Sequence, residues 1–277
     1  TPFVFCFGAP SCVPATTFET AGAVIDPTAV RELLALDEGG YLAEVMNYPG
    51  VLAQDPDLMQ KIAHAQAAQK PVDGHAPGLR GEAAKAYAAV GISTDHECFT
   101  YEEAKEKIGY GMHILIREGS AARNFDALLP LLAEYPERIM FCSDDKHPDS
   151  LLEGHINQLV RRAIAEGYDL FDVLYAACVN PVVHYNLPVG LLRVGDTADF
   201  IMVNNLNAFD VQQTYLRGQL VADSGRTLLP DRRSESHPNR FACAPVTPDQ
   251  LRVVPAAEAT KVHVIEALEG QLITHCY

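Results

Sequence analysis

Short apolar runs alternate with segments of helical period along the first two-thirds of the chain. Residues 3–7 form an apolar run, 28–36 a helix, 41–48 a strand-like stretch, 55–69 an Ala-rich helix and 71–75 another strand. The alternation continues with a helix over 81–90, extended chain over 91–96, and a helix opened by Thr100-Tyr101-Glu102-Glu103. That tetrapeptide has the capping-box pattern, in which the first and fourth side chains satisfy each other's free amides. His113 to Arg117 has a buried-strand pattern, followed by a helix over 124–135 and a strand over 138–142. A helix over 151–166 places Leu152, Ile156, Leu159, Val160 and Ile164 on one face. A last helix, 169–178, is expected to end at Asn180-Pro181.

Six strand–helix units in succession predict an α/β fold with a parallel sheet. A complete eight-unit barrel takes about 250 residues, and these units fill only residues 1–166 or so. Two units are therefore expected to be missing from the front, in keeping with a chain that starts at Thr1 rather than Met. The texture changes after Gly167. Residues 190–203, 213–216 and 219–222 predict a small hairpin-rich β module around Arg217-Gly218. The expected domains are a partial barrel over 1–188, the β module over 189–229, a Pro/Arg/Ser-rich linker over 230–248 and the start of a further domain over 249–277.

Composition narrows the function classes. With 277 residues, 48% of them hydrophobic, the chain can bury a large core. A formal net charge of -15 disfavours nucleic acid and anionic membrane as partners. A small-molecule substrate fits, and a homo-oligomeric state is left open. Seven scattered cysteines without a CxxC pair indicate free thiols and a cytoplasmic location. No apolar run reaches the roughly 18 residues of a membrane span.

Three stretches close apolar runs with imidazole or carboxylate: Val72-Asp73-Gly74-His75, Ser93-Thr94-Asp95-His96-Glu97 and Met140-Phe141-Cys142-Ser143-Asp144-Asp145. The carboxyl ends of parallel barrel strands share one rim, so His75, His96 and Asp144 can converge there on a metal ion. For a lone strand-end histidine, capping the backbone is the commoner role; three in one register reverse that balance. Glu44 can bridge two metals or orient a ligand, or be a surface residue. In Arg117-Glu118-Gly119-Ser120, guanidinium and carboxylate can bind substrate or form an internal ion pair. Asp144 and Asp145 would repel each other without a cation or a shared proton, which suits one as ligand and proton acceptor and the other as positioning group.

His64 and His155 lie on helical patterns, and His113, His184, His237, His263 and His275 lack a partner at ligand spacing. There is no HExxH, GxGxxG or P-loop, which disfavours zincin, hydride-transfer and phosphoryl-transfer chemistry. Cys12, within Pro-Ser-Cys-Val-Pro, has no assigned role.

Residues 7–16 (FGAPSCVPAT), 43–51 (AEVMNYPGV), 72–79 (VDGHAPGL), 94–97 (TDHE), 117–120 (REGS) and 143–148 (SDDKHP) resemble the bacterial adenine deaminase family of the amidohydrolase superfamily. The Gly-Asp-Thr-Ala-Asp segment within 190–203 is similar to the β module that follows the barrel in that superfamily. The resemblance implies a (β/α)8 TIM-type metal-dependent hydrolase barrel, here incomplete at the N-terminus. It implies purine-salvage chemistry: deamination of adenine to hypoxanthine and ammonia at a centre using Mn or Fe, with Zn as an alternative, binuclear in the complete protein.

Carried over by position, Glu44 is the bridging carboxylate, His75 and His96 are imidazole ligands, and Asp144 is the ligand that takes a proton from water. Glu118 or Asp145 would read the ring nitrogens, and Arg117, Glu118 and Ser120 would bind substrate. The family's His-x-His pair at the first barrel strand is absent. The isolated chain is therefore expected to hold metal weakly and turn over slowly or not at all. The alternatives are a cyclic amidase, disfavoured because Glu44 stands where such enzymes carry lysine, and a noncatalytic barrel remnant.

Overall fold

The computed structural model describes residues 2–16, 19, 21–231, 242–268 and 274–277. Strands β1 (Phe7–Pro10), β2 (Gly39–Val45) and β3 (Val72–Gly74) pair in parallel, and so do β4 (Thr94–Asp95), β5 (His113–Arg117) and β6 (Ile139–Cys142). The two sets meet where Ser93 N–H donates to Val72 O at 2.9 Å, giving one arc of six parallel strands. Gly74 permits this approach, since a Cβ there would stand 2.3 Å from Thr94 O. The arc is part of a TIM-type barrel, and its carboxyl ends share one rim.

Helices α1 (Pro27–Leu34), α2 (Tyr48–Leu52), α3 (Pro56–Ala67), α4 (Gly81–Ala89) and α5 (Tyr101–Gly109) follow or connect the first strands. The buried faces of the first four of these helices pack with β2 and β3 into a core built on Val30, Leu42, Ile62, Val72 and Tyr87. A second core, with Ile114, Leu128, Ile139, Leu159 and Val173, lies under the later helices. The four antiparallel strands β7 (Phe200–Val203), β8 (Val211–Leu216), β9 (Gln219–Asp223) and β10 (Arg226–Thr227) form a separate sheet, as the hairpin pattern predicts. A short pair, β11 (Ile265–Ala267) and β12 (Thr274–Cys276), closes the chain. Of the expected linker, residues 232–241 lie outside the described residues. No helix among the described residues is long and apolar enough to cross a membrane.

Several elements depart from the sequence expectation. Pairing begins at Phe7 rather than Phe3, because the neighbouring strand starts at Gly39 and offers no earlier register. The helix expected over 124–135 is split into α6 (Phe125–Leu128) and α7 (Leu131–Glu134) around Pro130, which has no amide to donate. The helix expected over 151–166 is split into α8 (Pro148–Glu153) and α9 (Ile156–Ala165) at Gly154, whose φ of 150° no helix accommodates. Leu152 consequently leaves the apolar stripe and is 91% exposed. Asn180-Pro181 does not end the helical run that starts with α10 (Leu170–Leu174). A π-helical turn, Tyr175–Val179, passes into α11 (Asn180–His184), with Pro181 in the first turn where its missing amide costs nothing.

The capping box at α5 forms only in part. Thr100 Oγ accepts from Glu103 N–H at 3.3 Å, but Glu103 is committed elsewhere. Its carboxylate accepts from the fully buried Lys107 Nζ at 2.8 Å and from Gly78 N–H at 2.9 Å. Lys107 also donates to Asp95 Oδ2 at 2.9 Å and to Ala76 O at 2.7 Å. One ammonium thus ties the end of β4, α5 and the turn after β3 together. Burial works against its charge, and the carboxylates of Asp95 and Glu103 overcome that and hold its pKa above the ordinary lysine value. Replacing it (K107M) strands two buried carboxylates, and denaturant unfolding at pH 7 is expected to show a loss of about 3–5 kcal/mol. A loss under ~1 kcal/mol would show that the cluster is not what anchors this corner.

Candidate metal centre

The rim positions its side chains through local backbone features. In β2 the register shifts between Leu42 and Val45, and Glu44 adopts a φ of 25°, in the left-handed region that non-glycine residues avoid. Ser11 Oγ donates to Glu44 O at 2.6 Å and Met46 N–H donates to it at 2.7 Å, which holds this strained bulge in place. After β3, His75 N–H donates at 2.9 Å to the hydroxyl of the buried Tyr87, which donates in turn to Val45 O at 2.6 Å. After β4, Asp95 Oδ1 accepts from Glu97 N–H at 2.7 Å, and Asn124 Nδ2 donates to His96 O at 3.3 Å and Cys98 O at 2.8 Å.

These supports bring donor atoms face to face. His75 Nδ1 lies 3.3 Å from His96 Nε2, and Glu44 Oε2 lies 2.9 Å from the first and 3.4 Å from the second. Two nitrogens each roughly 2.05 Å from one tetrahedral ion stand about 3.3 Å apart, so the pair has the spacing of ligands to a common metal. Glu97 Oε1 is 3.6 Å from His75 Nδ1 and 3.5 Å from His96 Nε2. The described residues contain two groups able to hold a metal ion, Glu44 with His75 and His96, and His96 with Glu97 and Asp144. The mixed imidazole–carboxylate donor set suits Zn, Mn or Fe.

The electrostatics follow from the same contacts. Hydrogen bonds from His75 and His96 hold the Glu44 carboxyl far below its usual range. Burial opposes charge on His96, but the hydrogen bond to Glu44 and the charges of Asp95, Glu44 and Glu97 prevail and raise its pKa.

Arg117 is 5% exposed, and its Nη1 pairs with Glu97 Oε1 and, at 2.7 Å, with Asp144 Oδ2. Asp144 also has a left-handed φ, 47°, and lines a cavity of about 340 Å³ with Tyr41, Glu44, Asp73, His96 and Tyr185. That volume is within the usual small-molecule range of about 300–1,000 Å³. Glu118, Ser120 and Asp145 are not among the residues lining this cavity. Glu118 pairs at 2.8 Å with Arg162, Ser120 lines a neighbouring pocket with it, and Asp145 is exposed.

Sequence reasoning passed over Glu97, Asp73, Tyr185 and Asn124. Glu97 adjoins His96 and Asp73 precedes His75 by two positions in the singled-out blocks, so each had a signal that went unused. Tyr185 had none, because its hydroxyl reaches Asp73 Oδ2 at 3.0 Å from 112 residues away.

The amidohydrolase family model matches residues 2–221. A curated relative from Salinibacter ruber, named adenine deaminase, is 58% identical over 99% of this chain and 50% of its own length. Another of the same name, from Sulfurovum sp., is 54% identical over 99% of this chain and 51% of its own. The chain thus spans about half the length of these curated relatives. Among solved structures, the β-aspartyl dipeptidase of Fervidobacterium islandicum AW-1 superposes with a TM-score of 0.59 at 16% identity, covering 83% of this chain and 68% of that one, a likeness of fold. A barrel arc with His75, His96 and Glu44 meeting at its rim, matched by the family model over most of its length, belongs to the amidohydrolase family.

Proposed function

We propose that the chain carries part of the metal centre of an adenine deaminase, which converts adenine and water to hypoxanthine and ammonia. The observation that carries this reading is the meeting of Glu44, His75 and His96, with Glu44 and His96 lining a cavity whose wall also holds Asp144. The adenine deaminase relatives at 58% and 54% identity support the substrate. Glu44, His75, His96 and Asp144 would hold a divalent ion, manganese or iron with zinc as an alternative. A bound ion supplies hydroxide at neutral pH by lowering the pKa of a water it holds.

The remaining chemistry lies in the chain's own groups. Asp144 accepts one proton of the attacking water and passes it to the departing amine, the water's second proton ends on ring N1, and adenine thereby loses ammonia and gains the oxygen at C6. Arg117, buried and paired with Asp144 at 2.7 Å, fixes the direction of that carboxylate. Tyr41 and Tyr185, with rings 5.2 Å apart, offer the cavity an aromatic wall against which a flat heterocycle can stack.

The test is ammonia release from adenine with added Mn²⁺, run on the 277-residue chain alone and on the chain joined to the two strand–helix units that complete a barrel. Turnover by the completed barrel, with little or none by the chain alone, is expected. No ammonia from either folded, metal-loaded protein would exclude the reading. In the active form, D144N is expected to lower kcat by roughly 10²–10⁴-fold, the range of a lost general acid–base, with a much smaller change in KM. A raised KM with kcat unchanged would make Asp144 a binding residue instead.

Asp73 gives a pH-dependent prediction. Its carboxyl is buried, and this burial pushes its pKa up to about 6, although hydrogen bonds from Thr94 and Tyr185 pull the other way. Because the folded value lies above the unfolded one, the group's stabilising contribution is present below about pH 4 and is lost as pH rises through about 6. D73N in metal-free protein is therefore expected, by denaturant unfolding, to be more stable than the parent above pH 6 by up to about 3 kcal/mol and to converge with it near pH 4. A difference independent of pH would refute the assignment.

A further inference from the structure

A second concavity of about 340 Å³ shares no lining residue with the cavity of the metal centre. Its walls include Ser120, Arg123, Lys146, Ser150, Arg161 and Arg162. In a chain of formal net charge -15, four basic side chains gathered around one hollow, against Glu118 and Glu153, are a local reversal of sign.

The charges are not equally committed. Arg162 pairs with Glu118 at 2.8 Å and Asp126 at 2.6 Å, and Arg161 pairs with Asp210 at 3.3 Å. Arg123 instead donates only to the backbone, to Gly119 O at 3.4 Å and Ser120 O at 3.2 Å. Lys146 donates only to Gln158 Oε1, at 3.4 Å. Among the described residues neither cation has a carboxylate partner, while Glu118 is already neutralised by Arg162. Two hydroxyls complete the lining: Ser120 Oγ and Ser150 Oγ stand 3.3 Å apart. Ser120 Oγ accepts from His147 N–H at 2.9 Å, and the contact between the two serines uses one of their two hydroxyl protons, so the pair keeps one to donate outward.

We propose that this hollow is an oxyanion site that takes inorganic phosphate or the phosphate of a phosphate monoester, independent of the deaminating centre. Arg123 and Lys146 supply the unpaired charge, and the Ser120–Ser150 pair supplies a neutral donor. The position also suits it. The hollow is built from the segments that follow the neighbouring strands β5 and β6, so its donors converge from two chain segments. An occupant would tie the segment after β5 to the one after β6, which carries Asp144.

The experiment is calorimetric titration of the folded 277-residue chain with inorganic phosphate, AMP and adenosine at constant ionic strength in chloride, repeated on R123Q/K146Q. Phosphate is expected to bind, and the double variant, with unchanged circular dichroism, to bind it at least tenfold more weakly. AMP binding more tightly than phosphate, with adenosine silent, would identify a phosphate monoester as occupant; AMP no tighter than phosphate would identify the free ion. No binding of phosphate or AMP, or binding unchanged in the double variant, overturns the proposal. Because no residue of the metal centre is altered, a failed deamination assay leaves this result standing on its own.

Discussion

Carboxylates crowded at the ends of parallel strands need positive charge, and this constraint shapes the rim. Glu44, Asp73 and Asp144 line one cavity, with Glu97 close behind. Arg117 answers two of them, Glu97 and Asp144, through one nitrogen, while its Nε is buried without a hydrogen-bond partner. Glu44 is left to the imidazoles of His75 and His96. Carboxylates so close together hold their charge at a cost, and a divalent ion between these donors would relieve the repulsion.

The scaffold that sustains this crowding is itself ionic. Lys107, Asp95 and Glu103 are all buried, and Asp95 also fixes the turn into Glu97 through its second oxygen. Strain is concentrated at the rim: Glu44 and Asp144 both occupy left-handed backbone conformations, where the surrounding hydrogen bonds must offset the cost. Rigid parallel strands and two apolar cores provide that stiffness, so the site is assembled by residues distant in sequence.

Much of this was legible because strand ends in a parallel fold are marked by a simple pattern, an apolar run closed by a functional side chain. His75, His96 and Asp144 each stand at such a point, and β5 has the bounds its pattern predicts. The misread helices trace to single residues with two meanings. Pro130 interrupts a helix, whereas Pro181 opens one, and only the neighbouring backbone decides between them. Glu103 matched a capping box yet was claimed by Lys107, a tertiary partner that no local pattern reveals. Glu118 and Ser120 share a motif with Arg117, but they follow the end of β5 and line a different hollow. Tyr185 was invisible for the same reason as most long-range contacts: nothing near it in sequence names Asp73 as its partner.

The most direct measurement is a crystal of this protein soaked in Mn²⁺ and examined for anomalous scattering. A peak roughly 2.0–2.3 Å from His75 Nδ1, His96 Nε2 and Glu44 Oε2 is the predicted result. A well-ordered rim with no peak there, or with manganese bound only at other residues, would contradict the assignment of these three side chains as the metal-binding core.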